Sequence, residues 1–453
     1  MTLTPKQQKQ IDAARKKLNE QGVQFVMAQF TDIFGAAKGK NIPLSHLEDI
    51  FYPGAGFAGP SIWGTGLPRF GPDSEYYGRG DLSTLQPMPW LPGYARVVCD
   101  GFVDGKAFDL CPRQILKKQV ARLAERGWTL NAGLEPEFFL LHKSDDDILP
   151  ADIDDVLEKP SYDYKTLMRQ REYAARLTQT LQQCGFDVFQ VDHEDAQGQF
   201  EFNYHYSDAL QAADRYMLFK MAAHSIAEEM GMIFSVMPKP FAHMPGSGLH
   251  FHLSLADKKG QVVFAWDKDK RGLKMSETAY HFLGGLLHHA PALCAFSAPT
   301  VNSYKRLVVG ESLSGTTWAP VYICYGDNNR TALVRVTQSR MEWRLPDSAA
   351  NPYLALASLI AAGLDGIDNK INPGEPINDD LYEWSPQQFV KAGVATLPQN
   401  LGEAVSALRK NKIIGKAMGE DFIAEFTRLK QIEWISYSRY VSQWEIERYV
   451  DSM

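Results

Sequence analysis

The stretch GLEPEFFLL, residues 133–141, places two carboxylates inside an apolar run typical of a buried β-strand. Side chains two residues apart on a strand point to the same face, so Glu135 and Glu137 lie side by side. Two like charges on one face repel each other and resist burial. Either the pair is solvated at an exposed face, or a cation neutralises it, and a divalent metal is the natural cation.

Further metal-binding residue types occur in three other short stretches. A lone histidine on an apolar strand is more often a core residue than a ligand, so each stretch alone is a weak signal. Together with the first pair they supply five acids and a histidine, and an oxygen-dominated set with one imidazole suits Mg²⁺ or Mn²⁺. The stretches are HEDAQGQFEF (193–202) with Glu194 and Glu201, GSGLHFHLSL (246–255) with His250 and His252, and RMEWRLPD (340–347) with Glu342 and Arg344.

Basic residues are concentrated in the stretches NSYKRLVVG and GDNNRTALVRV, and just after them. Arginine binds phosphate and carboxylate in a bidentate manner, so a cluster near a metal site indicates phosphoryl transfer to an anionic acceptor. Surface salt bridges are the alternative. They suit Lys305 better than Arg335, because an unpaired arginine within the apolar run ALVRV would be costly. The sequence has no GxxxxGK[ST] loop and no kinase motif set.

The pattern of elements predicts an α+β protein with a small β-rich N-terminal domain, residues 1–111, and a large catalytic domain, residues 112–453. Thr4 can cap a first helix, and Asp104-Gly105 suits a hairpin turn. We expect residues 53–94 to be irregular. Pro112 suits a helix start, which puts the boundary near residue 111. Four helices are predicted beyond it, over 165–184, 207–231, 275–290 and 350–366.

Charge and composition exclude several classes of protein. A net charge of −7 argues against a nucleic-acid partner. Five scattered cysteines without a CxxC motif suit a reducing compartment. The polar N-terminus lacks the apolar region of a secretory signal, and no apolar run approaches the ~20 residues of a membrane span. We therefore expect a cytoplasmic protein without membrane contact.

The motifs quoted above, with EWRLPDSAANPYLALASLIAAGLDGI, resemble the glutamine synthetase family in kind and in order, over nearly the whole chain. The resemblance implies a β-grasp-like N-terminal domain and a catalytic domain whose curved antiparallel sheet forms a bifunnel flanked by helices. It also implies ATP and two or three Mg²⁺ or Mn²⁺ ions as cofactors. Two groups of three metal ligands follow from it: Glu137, Glu194 and Glu201 on the glutamate side, and Glu135, His250 and Glu342 on the ATP side.

The resemblance also implies substrate-binding residues. Gly246 and Gly248 would shape the glutamate pocket, and Arg306 would bind the glutamate carboxylate. Arg330 would lie at the transferring phosphate, and Arg344 beside the acceptor carboxylate and the phosphate.

The nucleotide is expected among five further residues. Tyr206 would stack on adenine, and Arg335 would contact the ATP phosphates. His252, Ser254 and Arg340 match positions around the nucleotide.

The chain departs from the family pattern where the amine binds. Ala58 stands where ammonia-using members present an aspartate to the neighbouring subunit. The flap segment reads RLVVGESLSGTTWAPV, with Glu311 as the candidate base and Trp318 as a candidate wall of the amine pocket. Pro245 replaces a common asparagine. A pocket without the aspartate and with an aromatic ring favours an alkylammonium, since a cation over an indole face is attracted to it.

These departures predict ATP-dependent ligation of glutamate to a small alkylamine, with methylamine favoured, through γ-glutamyl phosphate. An ordinary glutamine synthetase, a ligase for a polyamine or ethanolamine, and a non-catalytic relative stay open as alternatives. The resemblance further implies a homo-oligomer, a dodecamer of two hexameric rings joined by the C-terminal tail. Other members are modified on a loop tyrosine, and Tyr382 lies in a comparable place.

Overall fold

The computed structural model describes residues 3–144, 147–309 and 318–452. Two β-sheets follow one another along the chain, a seven-stranded sheet and then a ten-stranded one, with helices between and after their strands. No helix within the described ranges is long and apolar enough to cross a membrane.

The first sheet has the strand order β2-β1-β6-β4-β3, and β5 and β7 also pair with β6. The predicted helix start at Thr4 is confirmed, since its hydroxyl caps the helix by accepting from the Gln7 amide. The predicted hairpin turn is also confirmed: Asp104 and Gly105 both have positive φ and connect β6 to β7. The strands are β1 (Phe25–Thr31), β2 (Ala37–Pro43), β3 (Ala55–Ala58), β4 (Glu75–Gly80), β5 (Gln86–Pro87), β6 (Tyr94–Val103) and β7 (Lys106–Ala107).

The prediction of an irregular segment over residues 53–94 is wrong in part, because β3, β4 and β5 lie within it. Glycine-rich composition concealed these strands. The glycines are needed for close packing: a Cβ on Gly78 would lie 3.2 Å from Cys99 Cβ, and one on Gly80 would lie 3.0 Å from the Phe51 ring.

The second sheet has the order β10-β11-β8-β14-β17-β16-β15, with the short strands β9, β12 and β13 also paired to β8. The long strand β8 carries the GLEPEFFLL motif through its centre. The strands are β8 (Trp128–Ser144), β9 (Asp147–Pro150), β10 (Val188–His193), β11 (Gln199–Tyr204), β12 (Ser207–Asp208), β13 (Ile233–Ser235), β14 (Leu249–Asp257), β15 (Tyr322–Asp327), β16 (Ala332–Thr337) and β17 (Arg340–Trp343).

The helices pack around the second sheet, and α9 is buried along almost its whole length. The helix predicted over 165–184 is broken at Gln170 into α4 and α5. The helices are α1 (Pro5–Glu20), α2 (Leu47–Phe51), α3 (Pro112–Glu125), α4 (Tyr164–Arg169), α5 (Arg171–Gln183), α6 (Ala209–Glu229), α7 (Glu277–Ser297), α8 (Ser303–Arg306), α9 (Pro352–Asp368), α10 (Pro386–Ala392), α11 (Leu401–Lys410), α12 (Lys412–Met418), α13 (Glu420–Ser438) and α14 (Gln443–Tyr449).

A buried charge network connects the first sheet to the helices. Arg113, at the start of α3, donates to both carboxylate oxygens of Asp214 on α6, at 2.9 and 2.8 Å. It also donates to Asp100 on β6 at 2.8 Å and to Asp81 at 3.0 Å. The division of the chain at residue 111 stays a prediction. Arg113, two residues after that boundary, binds acidic residues on both sides of it and so connects the two parts of the chain.

Candidate active site

A cleft of about 670 Å³ opens on one face of the second sheet. Strand pairing explains why residues distant in sequence meet there. Glu201 on β11 lies opposite both Glu137 on β8 and Asp192 on β10. Opposed residues of antiparallel strands have Cβ atoms ~5 Å apart and share a face, so three carboxylates form one row across three strands.

A second row crosses the other half of the sheet. Glu135 on β8 lies opposite His250 on β14. His252, two residues further along β14, lies opposite Glu342 on β17, which in turn lies opposite Arg335 on β16. Both rows include strand β8. Its two carboxylates therefore have different partners: Glu137 lies opposite Glu201, and Glu135 lies opposite His250.

Glu135, His250 and Glu342 each place a possible ligand atom within 4.8 Å of the other two. His250 Nδ1 lies 3.4 Å from a Glu342 oxygen and 3.9 Å from a Glu135 oxygen. Burial, with Arg344 nearby, holds the pKa of His250 well below its ordinary value. The imidazole is thus neutral and keeps a lone pair, and a neutral imidazole between two carboxylates fits a Mg²⁺ or Mn²⁺ site.

Glu342 is fixed as a carboxylate by two arginines. Arg344 donates to one of its oxygens at 2.5 Å, and Arg335 donates to the other at 2.7 Å. Burial alone would raise the pKa of Glu342, but Arg344 and the other cations around it lower that pKa to about 2. The pairing also explains how Arg335 is tolerated within an apolar strand.

The other three glutamates form a crowded acidic group. Burial raises the pKa of Glu137 to about 7, against the opposing effects of the Gly248 amide and Arg306. Burial raises the pKa of Glu194 and of Glu201 well above the ordinary value, and each is raised further by its acidic neighbours. A buried group of mutually repelling acids is relieved by a bound cation, which fits the metal predicted on the glutamate side.

The glycines predicted to shape the glutamate pocket have no room for a side chain. A Cβ on Gly248 would lie 2.8 Å from His250 Nε2 and 3.0 Å from a Glu137 oxygen. A Cβ on Gly246 would lie 2.4 Å from the Pro238 carbonyl oxygen. The Gly248 amide also donates to Glu137 at 2.7 Å, so the loop both aims this carboxylate and leaves space beside it.

The predicted arginines line the same cleft. Arg306, on α8, is buried and donates to the backbone carbonyls of Leu345 at 3.0 Å and Arg344 at 3.1 Å. Arg330 and Arg340 are exposed at the cleft margin. The cleft is therefore lined both by negatively charged glutamates and by positively charged arginines.

Trp318 also lines the cleft. Its indole Nε1 donates to Asp195 Oδ2 at 3.0 Å, and its carbonyl accepts from Arg344 at 3.4 Å. Glu311, the candidate base, lies outside the described residues.

Four predicted site residues lie outside the cleft lining found among the described residues. His252 and Tyr206 lie next to it: His252 Nε2 is 2.8 Å from a Glu135 oxygen, and both residues border Gly133. Ser254 lies further along β14, opposite Asn131 on β8. Ala58 is exposed at the end of β3 in the first sheet. The nucleotide and amine roles of these residues stay predictions.

Sequence reasoning missed several residues of the cleft. Gln199 and Asn203 flank Glu201 at spacings of two on β11, so the same alternation rule could have found them. Gln199 donates to Glu137 at 3.1 Å and Asn203 donates to Glu201 at 2.8 Å. Asp195 directly follows Glu194, but its contact with Trp318 joins residues 123 apart, which no local pattern indicates.

The fold and the site define the class: the chain belongs to the glutamine synthetase family. The family model for the glutamine synthetase catalytic domain matches residues 109–449. This confirms the predicted family and the predicted fold class. The chain is 52% identical to the glutamate–methylamine ligase of Methyloversatilis universalis, over 97% of this chain and 98% of the relative. It is 40% identical to a glutamine synthetase of Rhizobium meliloti, over 95% of this chain and 98% of the relative.

Solved structures show the same likeness. A structure described as a GmaS/ADP complex superposes with a TM-score of 0.90 at 39% identity, covering 96% of this chain and 99% of the other. A structure of ligand-free GmaS gives a TM-score of 0.88 at 38% identity with the same coverage.

Proposed function

We propose that this protein ligates glutamate to a small alkylamine, methylamine foremost, with ATP as the energy source. The observation that carries the proposal is one cleft lined by the five acids and the histidine predicted as metal ligands, together with five arginines. The choice of methylamine is supported by the 52% identity to a glutamate–methylamine ligase. The products are γ-glutamylmethylamide, ADP and phosphate.

The first step activates glutamate. Arg306, buried beside Gly246 and Gly248, binds the glutamate carboxylate, and the glycines leave space for it. A γ-carboxylate oxygen attacks the γ-phosphorus of ATP, the bond from phosphorus to the ADP oxygen breaks, and γ-glutamyl phosphate forms. Arg330, together with Arg335 and Arg340 on the ATP side, compensates the negative charge of the phosphoryl group.

The second step forms the amide bond. The amine nitrogen attacks the activated carbonyl carbon, phosphate leaves with its electron pair, and the nitrogen gives one proton to a base, for which Glu311 is the candidate. Arg344, which is already oriented by Glu342, stabilises the charge that develops on the leaving phosphate. Trp318 and Asp195 offer an indole face and a carboxylate to the alkylammonium before it is deprotonated.

Two or three Mg²⁺ or Mn²⁺ ions, when bound, would polarise the phosphoryl oxygens. Glu137, Glu194 and Glu201 would hold the ion on the glutamate side. The remaining ligand set, Glu135, His250 and Glu342, would hold the ion on the ATP side. Gln199 and Asn203 orient two of these carboxylates through their amide groups.

The assembly and the location are also proposals. We infer a cytoplasmic homo-oligomer of two stacked hexameric rings, in which Ala58 of one subunit borders the amine pocket of its neighbour. An alanine there provides neither charge nor bulk, which suits a methyl group better than an ammonium ion.

The test is an amine panel. ADP release is followed with glutamate, ATP and either Mg²⁺ or Mn²⁺, while ammonium, methylamine, ethylamine, ethanolamine and putrescine are compared by kcat/KM. The proposal expects methylamine to be preferred. Preference for ammonium would identify a glutamine synthetase, and preference for ethanolamine or putrescine would identify another amine ligase. An absence of ADP release with every amine would contradict the enzymatic function itself.

A further inference from the structure

Tyr382 occupies a place that the proposed chemistry does not use. It lies in a short turn, Leu381–Glu383, that is held to the second sheet: Leu381 is buried, and its amide donates to Thr331 at 3.2 Å. The Asp380 carboxylate fixes the start of the turn by accepting from the Tyr382 amide at 2.9 Å. The tyrosine ring packs near the ring of Tyr322, with centroids 6.4 Å apart. The side chain is therefore fixed at both its backbone and its ring.

The Tyr382 hydroxyl has a specific partner. It donates to the backbone carbonyl oxygen of Ala319 at 3.0 Å. Ala319 is buried and directly follows Trp318, which is 45% exposed towards the cleft. The hydroxyl is therefore engaged with a backbone carbonyl next to Trp318.

Trp318 and Ala319 are held from three sides. Tyr382 holds the Ala319 carbonyl, Arg344 donates to the Trp318 carbonyl at 3.4 Å, and the indole donates to Asp195 at 3.0 Å. The three holding residues come from separate parts of the chain. The result is a two-residue wall of the cleft, Trp318–Ala319, whose indole lies next to the Asp195 carboxylate.

This wall has the chemistry that distinguishes an alkylammonium from ammonium. Methylammonium has N–H donors, for which a carboxylate is an acceptor, and a methyl group, which suits an apolar surface. Ammonium is attracted to the indole as a cation too, but it has a fourth N–H in place of the methyl group and so makes no apolar contact with the ring. One methyl contact in a fitted pocket discriminates by about 10-fold or more, provided the wall is held in place.

We infer that Tyr382 is a positioning residue that fixes the Trp318–Ala319 wall and so contributes to the choice of alkylamine over ammonium. The inference rests on the proposed function. Tyr382 acts through Trp318 and does not touch substrate. The modification of Tyr382 considered from the family resemblance stays a prediction.

The test compares Tyr382→Phe, Trp318→Phe and the double variant in the full-length protein. Tyr173→Phe is the matched control, because the Tyr173 hydroxyl also donates to a backbone carbonyl, that of Ala223 at 3.1 Å, in the core away from the cleft. The readout is the ratio of kcat/KM for methylamine to kcat/KM for ammonium, with KM and kcat resolved separately.

We expect Tyr382→Phe to lower this ratio about 3- to 10-fold, mainly by raising KM for methylamine. Tyr173→Phe should leave the ratio unchanged. Because Tyr382 acts through Trp318, the double variant should match Trp318→Phe alone. An unchanged ratio in Tyr382→Phe, an equal loss with both amines, or effects that multiply in the double variant would overturn the inference.

A second readout separates this inference from the proposed function. In protein labelled with 5-fluorotryptophan, the ¹⁹F resonance of Trp318 is assigned by its absence in Trp318→Phe. Tyr382→Phe should shift that resonance and leave the others in place, whereas an unshifted resonance would refute the positioning role. If the wild-type protein uses no amine, the proposed function and the selectivity fail together, while the resonance still decides whether Tyr382 positions Trp318.

Discussion

At the scale of single residues, the site depends on close packing around its glycines and on buried side chains whose pKa differs from the value in water. Gly248 is the clearest steric case, because its hydrogen faces both His250 and Glu137. Glu137 is the clearest electrostatic case, because burial raises its pKa to about 7. The packing at Gly248 and the pKa of Glu137 each lead to a measurable prediction.

Gly248→Ala should abolish most of the activity. The new methyl group would lie 2.8 Å from His250 Nε2, so the imidazole or the loop must move. A displacement of about 1 Å in a positioned site costs on the order of 100-fold in kcat/KM. Gly415→Ala is the control, since nothing lies within 4 Å of its Cβ position. Steady-state kinetics that leave Gly248→Ala within 3-fold of wild type would contradict this account of the pocket.

Metal-free protein should lose stability as pH rises from about 5 to 8. The folded-state pKa of Glu137, about 7, lies above the value of 4.5 for the free side chain, so the folded state binds the extra proton and deprotonation opposes folding. The full difference corresponds to about 3 kcal/mol in the free energy of unfolding. Mg²⁺ replaces the proton, so it should raise the melting temperature more at pH 8 than at pH 5.5.

Glu137→Gln is the matched variant for this prediction, since it keeps the shape of the side chain and cannot titrate. Differential scanning fluorimetry should show a flatter pH dependence in this variant. An equal Mg²⁺ effect at both pH values in the wild type would contradict the assignment.

At the scale of elements, strand alternation was sufficient to predict which residues share a face, but not which strands are neighbours. The two-residue spacing alone placed Glu135 beside Glu137 and His250 beside His252. The opposition of Glu201 to Glu137 depends on the register between β11 and β8, which local sequence does not encode. Irregular composition similarly concealed β3 to β5, because their glycines serve close packing.

Strand register also leads to a prediction for β11. Gln199 holds Glu137 at 3.1 Å, so Gln199→Leu should leave the strand paired and release the carboxylate. We expect weaker Mg²⁺ binding by about 10- to 100-fold, as for other groups that orient metal ligands. Isothermal titration calorimetry measures this affinity, with Gln197→Leu, at a half-buried neighbouring position that does not line the cleft, as the control. Equal affinities in the two variants would contradict an orienting role for Gln199.

At the scale of the whole molecule, the buried Arg113–Asp214 pair connects the first sheet to the helices around the site. Asp214→Asn should destabilise the protein by about 3–5 kcal/mol, because it leaves Arg113 buried without its bidentate partner. Asp368→Asn removes a comparable but exposed pair with Arg126 and should cost less than about 1 kcal/mol. Urea unfolding monitored by circular dichroism compares the two, and equal losses would contradict the role of the buried network.

The assembly gives a second prediction at this scale. Helix α14 exposes Trp444, Ile446 and Tyr449, and an apolar group of this kind at the surface indicates a protein partner. Trp444→Glu should therefore reduce the mass of the particle in light scattering coupled to size-exclusion chromatography. Val390→Glu, at an exposed site outside the tail, is the control. An unchanged mass in Trp444→Glu would argue against the predicted role of the tail in joining rings.

The proposed reaction activates glutamate by phosphorylation and then captures it with an alkylamine. Both steps are followed at once with glutamate labelled with ¹⁸O in its γ-carboxylate, supplied with ATP, Mg²⁺ and methylamine. We expect one labelled oxygen in each phosphate released, together with γ-glutamylmethylamide and ADP in equal amounts by mass spectrometry. Unlabelled phosphate, or ADP release without the amide, would contradict the proposed reaction.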